Sequence, residues 1–191
     1  MPETVPPETA PPEAAPPLDP FVVTLRLDAA LFAALDGLRR AHVPPERNLI
    51  PAHVSLFHAL PGAGSPGVRR ALAAVAGETA PFALALPGLH PLGRGVAVRV
   101  DGGAHLGDLH RRLVAAISAE IGLDALTAQD RQPFRAHVTV QNKVTPERAR
   151  ETLAALSATW TTLSGSADGL DLWRYRGGPW QHVKTYAFEG A

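Results

Sequence analysis

Two short runs of the same form, one in each half of the chain, constrain the fold most. The first run is His53-Val54-Ser55-Leu56 and the second is His137-Val138-Thr139-Val140. In each run a histidine and a hydroxyl residue alternate with apolar residues, and this period of two is typical of a strand with one buried face. The pattern therefore predicts two strands that each bury two apolar side chains and present one imidazole and one hydroxyl on the opposite face.

Helical and strand-like segments follow each other in a similar order around these two histidine runs. Alternating and β-branched residues predict further strands, and apolar residues three or four apart predict helices. The predicted strands cover 21–28, 82–89 and 95–101, and the predicted helices cover 30–42, 67–78, 104–121 and 145–158. The last thirty residues indicate strands around Gly177-Gly178-Pro179. This order favours an α+β fold of two similar halves over a parallel, doubly wound sheet.

The first twenty residues differ in composition from the rest of the chain. They contain 8 of the 19 prolines, four acidic residues and no lysine or arginine. Such a segment buries too few apolar groups to offset the entropy lost on ordering. We therefore expect residues 1–20 to be a disordered tail and residues 21–191 to form a single two-lobed domain.

Composition excludes several classes of protein. The chain has no cysteine, which rules out disulfide scaffolds, thiolate metal sites and cysteine nucleophiles. It has no apolar stretch of the ~18 residues that a membrane span needs, and its first residues do not form a secretory signal. The formal net charge is +0, so a dense basic stripe for duplex DNA is not expected. We expect a cytoplasmic monomer without cofactor, metal or membrane partner.

Residues 62–67 match the GxGxxG pattern of dinucleotide-binding loops. An acidic residue normally follows this pattern by about 20 positions, and none does so here. Pro66 also removes one of the backbone donors that a phosphate would use. The segment is therefore interpreted as a loop between a strand and a helix.

Two imidazoles and two hydroxyls around one point suit a displacement at phosphorus. One neutral imidazole can take a proton from the attacking oxygen while a protonated imidazole gives one to the leaving oxygen, because histidine titrates near neutral pH. The hydroxyls can donate hydrogen bonds to the non-bridging phosphate oxygens. This chemistry needs no metal ion.

Both runs resemble the motifs of the 2H phosphoesterase superfamily. The resemblance of the second run includes the Pro-Phe-Arg segment at 133–135 that precedes it. This superfamily contains the bacterial RNA 2′,3′-cyclic phosphodiesterases, also called 2′-5′ RNA ligases, and the order of elements over 21–190 is similar too. The resemblance implies a bilobal α+β fold with a pseudo-twofold axis and an active site between the lobes. It further implies that His53 and His137 are catalytic and that Ser55 and Thr139 bind phosphate.

The family activity implied is the opening of a 2′,3′-cyclic phosphate, on a nucleotide or an RNA end, to leave a 2′-phosphate; some members join or cleave 2′-5′ linkages. Many RNA-processing members carry arginine five residues after the second histidine, where this chain has Asn142. Phe57, Arg135 and Lys143 lie close to the runs in sequence and are the further candidates for substrate binding. Another small cyclic phosphate as substrate, or a non-catalytic module that binds phosphate or RNA, stays open as an alternative.

Overall fold

The computed structural model describes residues 19–62 and 65–190. The predicted disordered tail thus lies outside the described residues, apart from its last two positions. The first strand begins at Phe21, directly after this segment.

Eight strands and four α-helices are present in the described part of the chain. The strands are β1 (Phe21–Leu27), β2 (Val54–Leu60), β3 (Phe82–Leu86), β4 (Leu89–Pro91), β5 (Val96–Arg99), β6 (His137–Gln141), β7 (Leu163–Tyr175) and β8 (Trp180–Ala187). The helices are α1 (Ala29–His42), α2 (Ser65–Gly77), α3 (Gly103–Ile121) and α4 (Pro146–Thr159). The predicted strand over 82–89 divides into β3 and the start of β4, because Pro87 and Gly88 interrupt it.

Two separate antiparallel sheets carry the two histidine runs. The larger sheet has five strands in the order β2-β1-β7-β3, with β8 also paired to β7. The smaller sheet has three strands in the order β4-β5-β6. All pairings between strands are antiparallel, which confirms the α+β prediction. The two lobes are unequal in size, because their sheets have five and three strands.

The helices begin and end at residues that satisfy free backbone groups. Asp28 caps α1, since its Oδ1 accepts a hydrogen bond of 2.9 Å from the Leu31 amide. Thr145 caps α4 in the same way, and Pro146 occupies its first position. Helix α3 ends at Ile121 and is followed by Gly122, whose φ of 85° lies in the region that glycine adopts without strain.

The apolar residues of both histidine runs lie in one continuous core. Val54 and Leu56 of β2 are 0% and 1% exposed, and Val138 and Val140 of β6 are 1% and 0% exposed. Full burial of such a side chain contributes about 1.5–3 kcal/mol. The predicted alternation is thus present, with the polar residues of each run left on the other face.

Substitution of Leu56 by alanine tests this anchoring. The change leaves a cavity beneath the first run, so we expect the free energy of unfolding to fall by about 2–5 kcal/mol in urea titrations followed by circular dichroism. Leu49 is 52% exposed and provides the matched control. Leu49→Ala should change the stability by less than about 0.5 kcal/mol, and equal losses in the two variants would contradict the assignment.

Candidate active site

Both histidines of the two runs are held by the same local hydrogen bond. Nδ1 of His53 lies 2.8 Å from the carbonyl oxygen of Pro51, two residues earlier. Nδ1 of His137 lies 2.8 Å from the carbonyl oxygen of Arg135, again two residues earlier. A carbonyl can only accept, so each Nδ1 carries a hydrogen and donates it. Nε2 is therefore the nitrogen that each ring has available for a substrate.

The strands that carry the two runs are irregular at the same point. Ser55 and Phe57, two residues apart in β2, pair with consecutive residues of β1. Thr139 and Gln141, two residues apart in β6, likewise pair with consecutive residues of β5. Each strand thus contains one extra residue directly after its hydroxyl residue, as in a β-bulge. Both bulges redirect the side chains that follow.

A small cavity of about 160 Å³, called here the central cavity, contains part of this constellation. Ser55 and His137 line it together with Arg135, His58 and the loop from Gln129 to Phe134. Its wall thus combines a hydroxyl from the larger sheet with an imidazole from the smaller sheet. The central cavity is thus shared by one polar residue of each run, Ser55 and His137, while His53 and Thr139 do not line it.

His53 borders a second cavity of about 430 Å³, called here the side cavity. Its wall includes Phe32, Asp171 and Trp173. The ring of Trp180 packs on the His53 imidazole with 4.9 Å between ring centroids. The aromatic residues of the β7–β8 hairpin thus form one side of the environment of His53.

Burial lowers the pKa of His53 from its ordinary value of 6.5 to about 4. The hydrogen bond to the Pro51 carbonyl opposes this shift, while the positive charges of Arg39, His137 and His58 add to it. His53 is therefore neutral at physiological pH and ready to accept a proton.

Two buried charged residues of α1 hold the chain around the histidine runs, and one of them, Arg39, bonds to both. Arg39 donates hydrogen bonds of 2.9 Å to the Ile50 carbonyl and 2.8 Å to the Thr139 carbonyl. Asp36 accepts a hydrogen bond of 3.0 Å from the amide of Ala52. Helix α1 thus holds both the chain before His53 and the strand of the second run. Charged residues three apart on a helix are usually exposed, so sequence reasoning does not single these two out.

The further candidates from the sequence lie in different places. Arg135 lines the central cavity. Phe57 is 0% exposed and stacks on His110 within the core, with 5.4 Å between ring centroids, so it does not form the substrate-binding wall expected of it. The bulge in β2 turns its side chain inward. Lys143 follows β6 with a φ of 58° and lines neither of the two cavities described above.

Neither metal ligands nor membrane-spanning segments stand out in the described ranges. Residues 19–62 and 65–190 contain no group of three histidine, aspartate or glutamate side chains arranged to hold a metal ion. No helix in these ranges is long and apolar enough to cross a bilayer.

An NMR titration of the histidine rings tests the environment of His53. We expect its ring to titrate near pH 4, because desolvation penalises the charged form. Since the unfolded chain binds this proton more tightly, protonation favours unfolding, and the contribution of His53 to stability is lost as the pH falls from about 6.5 to about 4. His53→Ala assigns the resonance, and a midpoint near 6.5 would contradict the buried environment.

Comparison with known proteins places the chain in a family. The family model described as the 2′-5′ RNA ligase superfamily matches residues 27–179. No curated protein matches the chain in sequence. Solved structures share the fold at low identity. TT0787 of Thermus thermophilus is 18% identical with a TM-score of 0.66, covering 90% of this chain and 98% of that one.

Escherichia coli LigT complexed with 3′-AMP is 14% identical with a TM-score of 0.61, covering 89% of this chain and 98% of that one. These likenesses extend over nearly the whole described chain, so they concern both sheets and not one lobe alone. Together with the family match they confirm the resemblance and the fold inferred from the two histidine runs. The chain belongs to the 2′-5′ RNA ligase superfamily of 2H phosphoesterases.

Proposed function

We propose that the protein is a metal-independent phosphodiesterase that opens a 2′,3′-cyclic phosphate on a nucleotide or an RNA end and leaves a 2′-phosphate. One observation carries this proposal. Two histidine rings are fixed by the same Nδ1 hydrogen bond, and each is followed after two residues by a hydroxyl at a bulge. Such a pair supplies a proton acceptor and a proton donor on two sides of one phosphorus atom.

The proposed reaction is an in-line displacement. One imidazole removes a proton from water, and the water oxygen forms a bond to phosphorus while the bond from phosphorus to the 3′ oxygen breaks. The other imidazole, protonated at the start, donates its proton to the 3′ oxygen, so that protons and charge balance. Because burial lowers the pKa of His53 and keeps its ring neutral, we assign the acceptor role to His53 and the donor role to the second histidine of the pair, His137.

The hydroxyls are proposed to stabilise the charge that develops on the phosphoryl oxygens. Ser55 and Thr139 are only partly buried, and each follows its histidine on the same face of its strand. A fixed donor aimed at a developing negative charge is one of the larger contributions to catalysis. Arg135 at the wall of the central cavity adds a positive charge close to the same point.

Structures of relatives support the substrate class. LigT has been crystallised with 3′-AMP, with phosphate and with ATP, which are nucleotides or their phosphate group. A nucleotide or RNA end with a cyclic phosphate is therefore the partner that we propose for this chain. A 2′-5′ ligase activity would use the same acid and base, with the 5′-hydroxyl of a second RNA end replacing water as the group that attacks the cyclic phosphate.

The first test is incubation with the four 2′,3′-cyclic nucleotides in EDTA, with separation of 2′- and 3′-phosphate products. We expect 2′-phosphate from the wild type and a loss of about 100-fold or more in kcat for His53→Ala and for His137→Ala, because each removes one proton-transfer group. His105 lies on α3, stacked on Phe82, and His105→Ala provides a control histidine that should keep full activity.

Each other outcome of this test has a defined meaning. Turnover that survives loss of both histidines would overturn the proposed acid–base pair. Binding of the nucleotides without turnover would indicate a non-catalytic module, and turnover of a different small cyclic phosphate would keep the mechanism while changing the substrate.

Thr139 allows an isosteric test of the hydroxyl role. Thr139→Val removes the hydroxyl and keeps the shape of the side chain, so we expect kcat to fall by about 100-fold with little change in the folded structure. Thr139→Ser keeps the hydroxyl and should restore most of the activity. Equal kcat values for the valine and serine variants would show that the hydroxyl does not act on the phosphoryl group.

A further inference from the structure

A third histidine faces the central cavity. Ser55 and His58 are three residues apart in β2, and an uninterrupted strand would place them on opposite faces. The extra residue between Ser55 and Phe57 changes this, since two consecutive buried residues precede the exposed His58. His58 therefore lines the same cavity as Ser55 and His137.

A buried carboxylate holds the ring of His58. Oδ1 of Asp130 accepts hydrogen bonds of 3.0 Å from the backbone amide of His58 and 2.8 Å from its ring Nδ1. Oδ2 accepts a third hydrogen bond of 2.7 Å from the hydroxyl of Thr127. The Asp130 side chain is 0% exposed, so these bonds replace the water that a carboxylate needs.

The lowered pKa of Asp130 agrees with a charged carboxylate at this position. Burial would raise the pKa of Asp130, but the hydrogen bonds from the His58 ring, the Thr127 hydroxyl and the His58 amide outweigh burial and hold the pKa below its usual range. Asp130 is therefore an anion behind the ring. A buried anion is costly to maintain unless its partner has a defined position, so the pair fixes His58.

The remaining nitrogen of the ring is available on the cavity side. Because Nδ1 donates to Asp130, Nε2 is the atom left for another partner, and the amide nitrogen of Gln129 lies 3.1 Å from it. In the neutral ring Nε2 accepts this bond from Gln129; both residues line the central cavity, and a phosphoryl oxygen can replace Gln129 when Nε2 carries a hydrogen. At about 160 Å³ the cavity is smaller than the ~300–1,000 Å³ of sites for whole small molecules, and its size suits a phosphoryl group.

The second run has a different residue at the equivalent place. His58 follows His53 by five residues, and Asn142 follows His137 by five residues. Both positions are exposed and directly follow two buried residues at the bulge. The side chain of Asn142 is occupied locally, since its Oδ1 accepts a hydrogen bond of 2.8 Å from the amide of Lys143. The larger sheet therefore supplies a ring nitrogen where the smaller sheet supplies a neutral amide.

We propose that His58, positioned by Asp130, is a further substrate-binding residue whose Nε2 donates a hydrogen bond to the phosphoryl group in the central cavity. This inference rests on the proposed function. In its protonated form the ring carries a hydrogen on both nitrogens, so it bonds Asp130 and the phosphoryl oxygen at the same time.

Two substitutions of His58 separate substrate binding from a structural role. Asparagine places an amide nitrogen near the position of Nδ1, so His58→Asn keeps a donor for Asp130 and lacks Nε2, whereas His58→Ala lacks both. We expect both variants to raise KM for the cyclic nucleotide by about tenfold or more, with a smaller effect on kcat. The melting temperature should fall in His58→Ala and stay close to the wild type in His58→Asn. His105→Asn is the control for the substitution itself.

A KM of His58→Asn equal to that of the wild type would overturn the inference, since it would show that only the bond to Asp130 matters. This result is separate from failure of the proposed function, which shows as absence of turnover in the wild type. If the wild type shows no turnover, titration with inorganic phosphate, followed by ¹⁵N NMR of the histidine rings, tests whether His58 binds a phosphoryl group. A shift of the His58 Nε2 resonance, with weaker phosphate binding in His58→Asn, supports the inference, and an unchanged resonance overturns it.

Discussion

The site depends on the hydrogen bonds that the guanidinium of Arg39 donates. The two histidine runs belong to different sheets, and Arg39 binds the Ile50 carbonyl before the first run and the Thr139 carbonyl within the second. Only 6% of Arg39 is exposed, and burial lowers its pKa, with the nearby carboxylate of Asp36 opposing the shift. A buried cation is stable only with its donors satisfied, so the two carbonyls are held at fixed positions.

The β-bulges in β2 and β6 determine which side chains of these strands turn into the core and which stay on the polar face. In a regular strand the second residue after each hydroxyl would return to the polar face, whereas here two consecutive residues turn into the core in both β2 and β6. After the bulge in β2 the His58 side chain returns to the cavity side, where it joins Ser55 at one wall. A bulge at the same point of each run, in two sheets of unequal size, gives two related but different halves of one site.

The inequality of the two lobes gives the histidines different surroundings. His53 lies against Trp180 of the β7–β8 hairpin, which belongs to the five-stranded sheet. The ring of His137 instead lies edge-on to His90 of the three-stranded sheet, with 6.0 Å between ring centroids. Two groups with the same local hydrogen bond therefore have different ring neighbours, Trp180 for His53 and His90 for His137.

The sequence alone determined the α+β class and the two histidine-hydroxyl pairs, because a period of two over four residues is a local property of the chain. It also located the start of the last helix at Thr145, whose cap acts within one turn, whereas the pattern assigns Asp28 to the preceding strand and its cap is seen only in the structure. Only the tertiary structure decided that Phe57 enters the core, that His58 faces the cavity, and that Arg39 joins the two runs. A bulge depends on the neighbouring strand, and a buried charge depends on partners far away in sequence, so neither leaves a periodic pattern in the sequence itself.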